Sequence, residues 1–360
     1  MEFFKSLEVA IRQILLKGLR FFISRSNPLP PTIDFNASKF LFIRQDRIGD
    51  VLISTPLIYT LKECYPDAVI DFLLSINNYF VLDNEPLVRK RYTYRKNLSS
   101  AWSIIKKIRQ ERYDFIIDLM DNPSTTSTFF CALTNGRWNV GFEKLNDYVY
   151  DLKVPLLSRK DIHIVDRLSM LLVIFGIQPD KHQLKIRYCL SEKSNQLAQE
   201  FLRKNRLSDR FIIGLNISPA RGVRFWGIAN FQKLIGSLLH DYPDVALLVL
   251  YQPTDIFQAK KIAEPFNEVL VSPETKSFDE FAAYIKSINL LVTPDTSTVH
   301  LAAAFTIPSV VLYVQSNKNL RIWEPYGSES EAIVTDVDDL TTIQPTTVHN
   351  AVKRLRQRIG

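Results

Sequence analysis

No run of about 18 uncharged apolar residues, the length that crosses a bilayer as a helix, occurs in the chain, which excludes a polytopic membrane protein. Cysteine is scarce. Cys64, Cys131 and Cys189 are odd in number and widely spaced, which suits neither a disulfide framework nor a zinc site, and they read as reduced core residues of a cytosolic protein. Only five histidines are present, and no two stand at a metal-ligand spacing such as H-E-x-x-H. Metal-centred hydrolysis is therefore disfavoured and no metal site is expected. Neither G-x-G-x-x-G nor G-x-x-x-x-G-K-[ST] occurs, which removes the main support for a dinucleotide oxidoreductase or a P-loop enzyme. With 46% hydrophobic and 23% charged residues, disorder, collagen-like repeats and coiled coil are excluded as well.

What is present is a chain of 360 residues, enough for two domains at about 150 residues each. Its net charge of +7 suits an anionic partner, whether phosphate, nucleic acid or an acidic membrane surface. In the first 25 residues, Leu7, Ile11, Ile14, Leu15, Leu19 and Phe22 recur at helical spacing. There Lys5, Arg12, Lys17, Arg20 and Arg25 oppose Glu2 and Glu8, leaving three positive charges. An N-terminal amphipathic helix follows, suited to an anionic membrane surface or to docking on the protein itself. Charges interrupt its apolar residues and no small-residue cleavage site follows, unlike a signal peptide. Residues 1–38 form this helix and a linker around Asn27, Pro28, Pro30 and Pro31.

From Lys39 the fold class is α/β. Apolar runs at 39–45, 69–75, 115–120 and 138–142 alternate with helical patterns at about 50–64 and 99–112, and a helix over 161–177 is closed by Gly176. After a polar stretch the pattern restarts, with runs at 211–217, 246–251, 268–272, 290–294 and 309–314 separated by helices at about 227–240, 255–266, 277–288 and from Val299. Two doubly wound Rossmann-like domains facing a cleft are expected, 39–180 and 210–360, joined by a connection over 181–209. A C-terminal helix could return to the first domain. Ligands of such sheets bind beyond the carboxyl ends of the strands.

Three of those loops carry chemistry. In Arg44-Gln45-Asp46-Arg47-Ile48-Gly49-Asp50, Asp50 reads either as an N-cap or as a general base. Arg44 and Arg47 stand near it to hold an anionic acceptor, with Gly49 beside them. In the loop from Asn216 and Ser218 to Trp226, Arg221 and Arg224 suit a phosphate because guanidinium stays charged and presents a fork of donors; a solvated loop with Trp226 packing the helix is the plainer reading. Asp295, Thr296, Ser297 and Thr298 open a helix whose N–H groups, hydroxyls and dipole can receive a phosphate. His300 follows, a residue more often packed than liganding. Asp295 would repel a diphosphate unless it bonds N–H groups or shares a cation. The basic stretch Arg89 to Lys96 suits an acidic or phosphorylated acceptor sugar or a solvated surface, and not nucleic acid.

The segments IRQDRIGDVLISTPLIYTLKECYPDAVIDFLL at 43–74, NISPARGVRFWGIANFQKL at 216–234 and LLVTPDTSTVHLAAAFTIPSVVLY at 290–313 resemble the ADP-heptose:lipopolysaccharide heptosyltransferases, which are glycosyltransferases of the GT-B fold. The likeness runs from about Lys39 to Tyr326 and includes HIVDRLSMLL and RIWEPYG. It implies an acceptor-binding first domain and a second domain that binds an ADP-sugar donor, with lipopolysaccharide core or a related glycolipid as acceptor. It further implies inverting transfer of heptose without a covalent intermediate, with Asp50 as base, Arg224 on the diphosphate, and Thr296 and Ser297 on the phosphate turn. No cofactor is required. A divalent cation such as Mg²⁺ is optional, since arginines and helix N-termini can stabilise a diphosphate. The implied location is cytoplasmic, peripheral on the inner membrane. Ser297 departs from the family, which commonly has glycine there. That substitution keeps open another nucleotide-sugar donor for a surface polysaccharide, or a catalytically silent scaffold of the same fold.

Overall fold

The computed structural model describes residues 20–219, 221–314 and 323–359, together with Ile14, Lys17 and Gly18. The chain divides into two compact units, Met1–Leu184 and Lys185–Gly360. The first holds strands β1 (Lys39–Ile43), β2 (Val69–Ser75), β3 (Lys90–Tyr94), β4 (Phe115–Asp118), β5 (Trp138–Phe142) and β6 (Leu152–Val154), with helices α1 (Ile48–Leu52), α2 (Thr55–Cys64), α3 (Leu98–Glu111), α4 (Thr125–Leu133) and α5 (Ile164–Ser169). Its sheet runs β3-β2-β1-β4-β5-β6 and every pairing is parallel. The central strands read as continuous apolar runs because both faces are covered. On one face Leu41, Ile43, Leu73 and Ile116 meet Ile104, Ile105 and Ile108 of α3 and Phe130 of α4. On the other Phe40 stacks on Phe115 at 5.1 Å and Phe115 on Trp138 at 5.2 Å.

The expected helix over 50–64 is two helices. Pro56, which lacks a backbone N–H, falls in the first turn of α2 behind Ser54, so the chain bends at Ile53 and Ser54. Strands β3 and β6 escape the hydrophobic pattern: β3 is KRYTY at the sheet edge, where one charged face is tolerated, and β6 is three residues long. The helix over 161–177 begins at Ile164 and tightens into a 3₁₀ turn over Met170–Phe175, which Gly176 closes at φ 74° as expected.

The second unit contains α6 (Glu192–Lys204), β7 (Ile212–Asn216), α7 (Ile228–Asp241), β8 (Ala246–Leu250), α8 (Ile256–Ala263), β9 (Val269–Val271), α9 (Phe278–Lys286), β10 (Leu290–Pro294), α10 (Ser297–Ala304), β11 (Ser309–Tyr313), β12 (Ser330–Val334) and α11 (Pro345–Ile359). Its sheet order is β12-β11-β10-β7-β8-β9, again all parallel. Three expectations are corrected here. The stretch 181–209 is not plain connection, because α6 lies within it and packs Phe201 edge-on against Tyr284 of α9. The C-terminal helix α11 belongs to the second unit, where Val348, Ala351, Val352 and Leu355 complete the core beside Phe231 and Leu234 of α7. Of the three free cysteines only Cys131 is buried, while Cys64 and Cys189 are partly exposed.

Most of the amphipathic segment 1–25 lies outside the described residues. Its tail is anchored, with Arg25 Nε 2.9 Å from Asp151 Oδ2 and Asn27 N–H donating to Asp151 Oδ1 at 2.9 Å. Among the described residues no helix is long and apolar enough to cross a membrane.

Candidate active site

In the first unit the site residues gather beyond the carboxyl ends of β1 and β4. Arg47 is the N-cap of α1, so Asp50 stands at the third helical position rather than at the cap, and its Oδ2 accepts the Arg47 backbone N–H at 3.0 Å. Oδ1 lies 3.2 Å from Arg44 Nη2. The Asp50 side chain keeps 12% of its surface exposed, so the doubly held carboxylate is not fully enclosed. Asp50 therefore stabilises the helix start from the third position and not as the cap itself.

Arg44 is not an acceptor contact. Its side chain is 1% exposed, and the guanidinium is used within the unit: Nε bonds the Asp50 carbonyl at 3.1 Å, Nη1 bonds the Leu119 carbonyl, and Nε lies 3.2 Å from Asp46 Oδ1. Burial works against its charge, and Asp46, Asp50, Asp121 and Asp118 together hold it charged. Arg47 is exposed and Gly49 is buried inside α1, where its carbonyl accepts the Ile53 N–H. Of the two arginines in this loop, Arg47 therefore presents its side chain to solvent and Arg44 does not.

Sequence reasoning missed the groups around them. Asp46 shares Arg44 with Asp50, and burial pushes its carboxyl up to about 7, with the Asp50 charge adding and Arg44 opposing. Asp121 lies 2.7 Å from Arg159 Nη2 and 3.0 Å from Arg167 Nη1; burial would raise its carboxyl, but Arg159, Arg44 and Arg167 outweigh it and hold it low. Behind them Asp118, fully buried, takes Lys144 Nζ at 3.1 Å, the Ser127 hydroxyl at 2.8 Å and the Tyr150 hydroxyl at 2.5 Å. The partners of Asp121, and Lys144 and Tyr150 at Asp118, are more than 20 residues away in sequence, and the only signal was Arg167 inside HIVDRLSMLL. Of the basic stretch, Arg89 and Lys90 are held by Asp71 and Glu111, while Arg91 and Arg95 line a groove with Lys107.

In the second unit the expected loops converge. Asn216, 1% exposed, donates from Nδ2 to Thr293 Oγ1 at 2.9 Å and Thr298 Oγ1 at 3.2 Å, and its Oδ1 accepts the Ser218 N–H at 3.2 Å. Ser218 in turn donates to Asp255 Oδ2 at 2.8 Å. The side chains of Asn216 and Ser218 are thus engaged in organising the loop itself. Arg224 Nη1 reaches the Asp295 carbonyl at 3.2 Å, which joins the arginine loop to the turn before α10 and, among the described residues, engages one of its N–H donors. Arg221 is exposed. Thr296 caps α10, accepting the Thr298 N–H at 3.3 Å. Ser297 is the first residue of α10 with ordinary right-handed helical backbone, so the conformation there makes no demand for glycine. His300 is buried beneath, its ring 6.1 Å from Trp323. Trp226 packs edge-on against Phe231 at 4.9 Å, as the plainer reading had it. Also unforeseen is Tyr313 at the end of β11: its hydroxyl is fully buried without a hydrogen-bond partner among the described residues, and burial beside Asp295 and Glu324 pushes it well up.

The second unit thus offers cations and a helix N-terminus to an anion, and the first offers a held carboxylate. Among the described residues no group of three or more His, Cys, Asp or Glu side chains could hold a metal ion. Two Rossmann-like units of this kind define the GT-B fold of nucleotide-sugar glycosyltransferases. Residues 101–351 match glycosyltransferase family 9 (heptosyltransferase), and the chain belongs to that family. It is 35% identical over 321 residues to an Escherichia coli (strain K12) protein provisionally named lipopolysaccharide heptosyltransferase 4, covering 86% of this chain and 85% of that one. Its fold matches a glycosyl transferase family 9 protein of Veillonella parvula at a TM-score of 0.78 and 19% identity, covering 91% of this chain and 99% of the other. It also matches E. coli heptosyltransferase WaaC with ADP-2-deoxy-2-fluoro heptose at 0.71 and 19%, covering 89% and 100%.

Proposed function

We propose that the chain transfers heptose from ADP-heptose to the inner core of lipopolysaccharide, with inversion and with Asp50 as general base. The acceptor hydroxyl loses its proton to Asp50 as its oxygen attacks the anomeric carbon, and the bond from that carbon to the diphosphate oxygen breaks to release ADP. Arg224, Arg221 and the first turn of α10 receive the developing charge on the diphosphate. Arg47 and Gly49 stand on the acceptor side, and Arg44 positions Asp50. No metal is needed for this chemistry. The observation that carries the reading is the Asp50 carboxylate, fixed by Arg44 and the Arg47 N–H while its side chain stays 12% exposed. The relatives' names, and the ADP-sugar in the WaaC structure, support donor and acceptor.

A second reading, another nucleotide-sugar donor for a surface polysaccharide, rests on Ser297 at the phosphate turn. Thermal shift with ADP, UDP, GDP and CMP separates the two, since a ligand that binds only the folded chain raises its melting temperature. An ADP-selective shift supports the first reading, a UDP or GDP shift the second, and none at all a silent scaffold. We infer that the chain works at the cytoplasmic face of the inner membrane, with residues 1–25 suited to the anionic surface or to docking on the protein itself.

A further inference from the structure

Helix α3 carries an exposed apolar feature to which the proposed transfer step assigns no role. Ile104, Ile105 and Ile108 are buried against the sheet, yet Leu98 is 89% and Trp102 is 53% exposed. Leu98, Trp102, Lys106 and Arg109 follow one another at spacings of four, four and three, which places them along one face of the helix. Beside that face an open groove of about 630 Å³ is lined by Arg91, Arg95 and Lys107 with Asn97, Ser99 and Ser103. The acid at the end of α3, Glu111, is occupied by Arg89 and Lys90. A second apolar projection leaves the same layer: Ile23 packs against the cluster that α3 covers, and Phe21 and Phe22 next to it are 90% and 88% exposed.

We propose that α3 is a docking face for an anionic phospholipid bilayer, with Trp102 and Leu98 entering the headgroup layer and Lys106, Lys107 and Arg95 paired with lipid phosphates. A large exposed aromatic beside an exposed aliphatic, rimmed by cations, is the composition that lies in a membrane interface. A second copy of the chain does not fit this face, because a two-fold contact would set its cations against themselves. The inference does not depend on which sugar is transferred, and it rests on residues distinct from segment 1–25.

Trp102 is its own reporter, since Trp138 and Trp226 are buried and Trp323 is half-buried. The full chain is mixed with phosphatidylcholine vesicles, with and without a third of phosphatidylglycerol, and followed by sedimentation, tryptophan emission and acrylamide quenching. Phosphatidylglycerol vesicles are expected to pellet the chain, shift emission to the blue and protect it from quencher, and Trp102→Phe is expected to abolish both optical changes while pelleting persists. Leu98→Ser with Trp102→Ser should weaken partitioning on the order of tenfold, and Lys106→Ser with Lys107→Ser about tenfold, the latter only on anionic vesicles. These positions are exposed, so melting temperature should stay unchanged and certify folding. Pelleting with Trp102 still fully quenchable would move the contact elsewhere, and no pelleting would leave the face to an acidic protein; either result overturns the proposal.

Discussion

Arg44 and Asp50 are joined twice, through Nη2 to the carboxylate at 3.2 Å and through Nε to the Asp50 backbone carbonyl at 3.1 Å. One buried guanidinium thereby sets both the side chain and the backbone of the proposed base. Arg44→Lys retains charge but replaces a planar fork with a single ammonium, so it should lower kcat about tenfold or more through loss of positioning, with the melting shift given by ADP unchanged. Asp50→Asn should lower kcat by about 10² to 10⁴, the range of a removed general base, again without loss of the ADP shift. Equal turnover in the two variants and the parent would dismiss the assignment.

Asp46 gives the fold a pH dependence of unusual sign. Because burial raises its folded carboxyl to about 7 from an ordinary 3.8, the folded chain binds more protons than the unfolded one between those values. Stability from this group is therefore present below about pH 4 and is lost as pH rises toward about 7. Asp46→Asn, which stays neutral, should melt higher than the parent at about pH 8 and lose that advantage near pH 4. A melting difference that does not change with pH would contradict this.

Asn216 links β7, β10 and α10 through Thr293 and Thr298. Asn216→Ala leaves those hydroxyls without their buried donor and should cost about 1–3 kcal/mol of stability. It should also shrink the ADP-induced shift although its amide is used within the protein. Arg224→Ala should remove most of that shift while leaving the unliganded melting temperature near the parent's. Calorimetry of the two variants with and without ADP distinguishes scaffold from contact.

Gly141 sits under the Tyr150 ring, where an added Cβ would lie 2.5 Å from Cε2. Gly141→Ala must displace the tyrosine whose hydroxyl bonds Asp118, at a cost of about 1–3 kcal/mol for overpacking. Gly141→Ala with Tyr150→Phe should be no worse than Gly141→Ala alone if the ring clash dominates, which chemical denaturation can measure.

Removing residues 1–19 spares Arg25 and Asn27, which are tied to Asp151. The shortened chain should keep its melting temperature and lose part of its binding to anionic vesicles. Unchanged binding would reject a membrane role for that segment.

What could be read in advance followed the physics of burial. Strands such as VIDFLLS at 69–75 and LLVTP at 290–294 are mostly apolar and buried on both faces, so their existence and bounds were legible. The charged edge strand KRYTY was not, because only one side of it is covered. Site loops were legible where sequence neighbours act together, as in Thr296 to Thr298. They were not where the partner is remote: nothing near Arg44 in sequence announces Leu119, and nothing near Asp46 announces that a shared guanidinium and burial will raise its carboxyl. For Asn216 and Arg44 the residue was found and its partners within the fold were not, since a polar side chain at a strand end is equally suited to a ligand and to a neighbouring strand.

The two sheets share one winding, and in each the first and fourth strands lie side by side where connections leave for opposite faces and open a gap beyond their carboxyl ends. In each unit a buried polar side chain at the end of the first strand closes that gap: Arg44 reaches the carbonyl following β4, and Asn216 reaches Thr293 within β10. The latch is cationic in one half and neutral in the other. A cation draws carboxylates around itself, whereas an amide leaves the neighbouring turn without added negative charge and open to an anion. The difference in polarity between the halves therefore begins at these two latches, before any surface residue contributes.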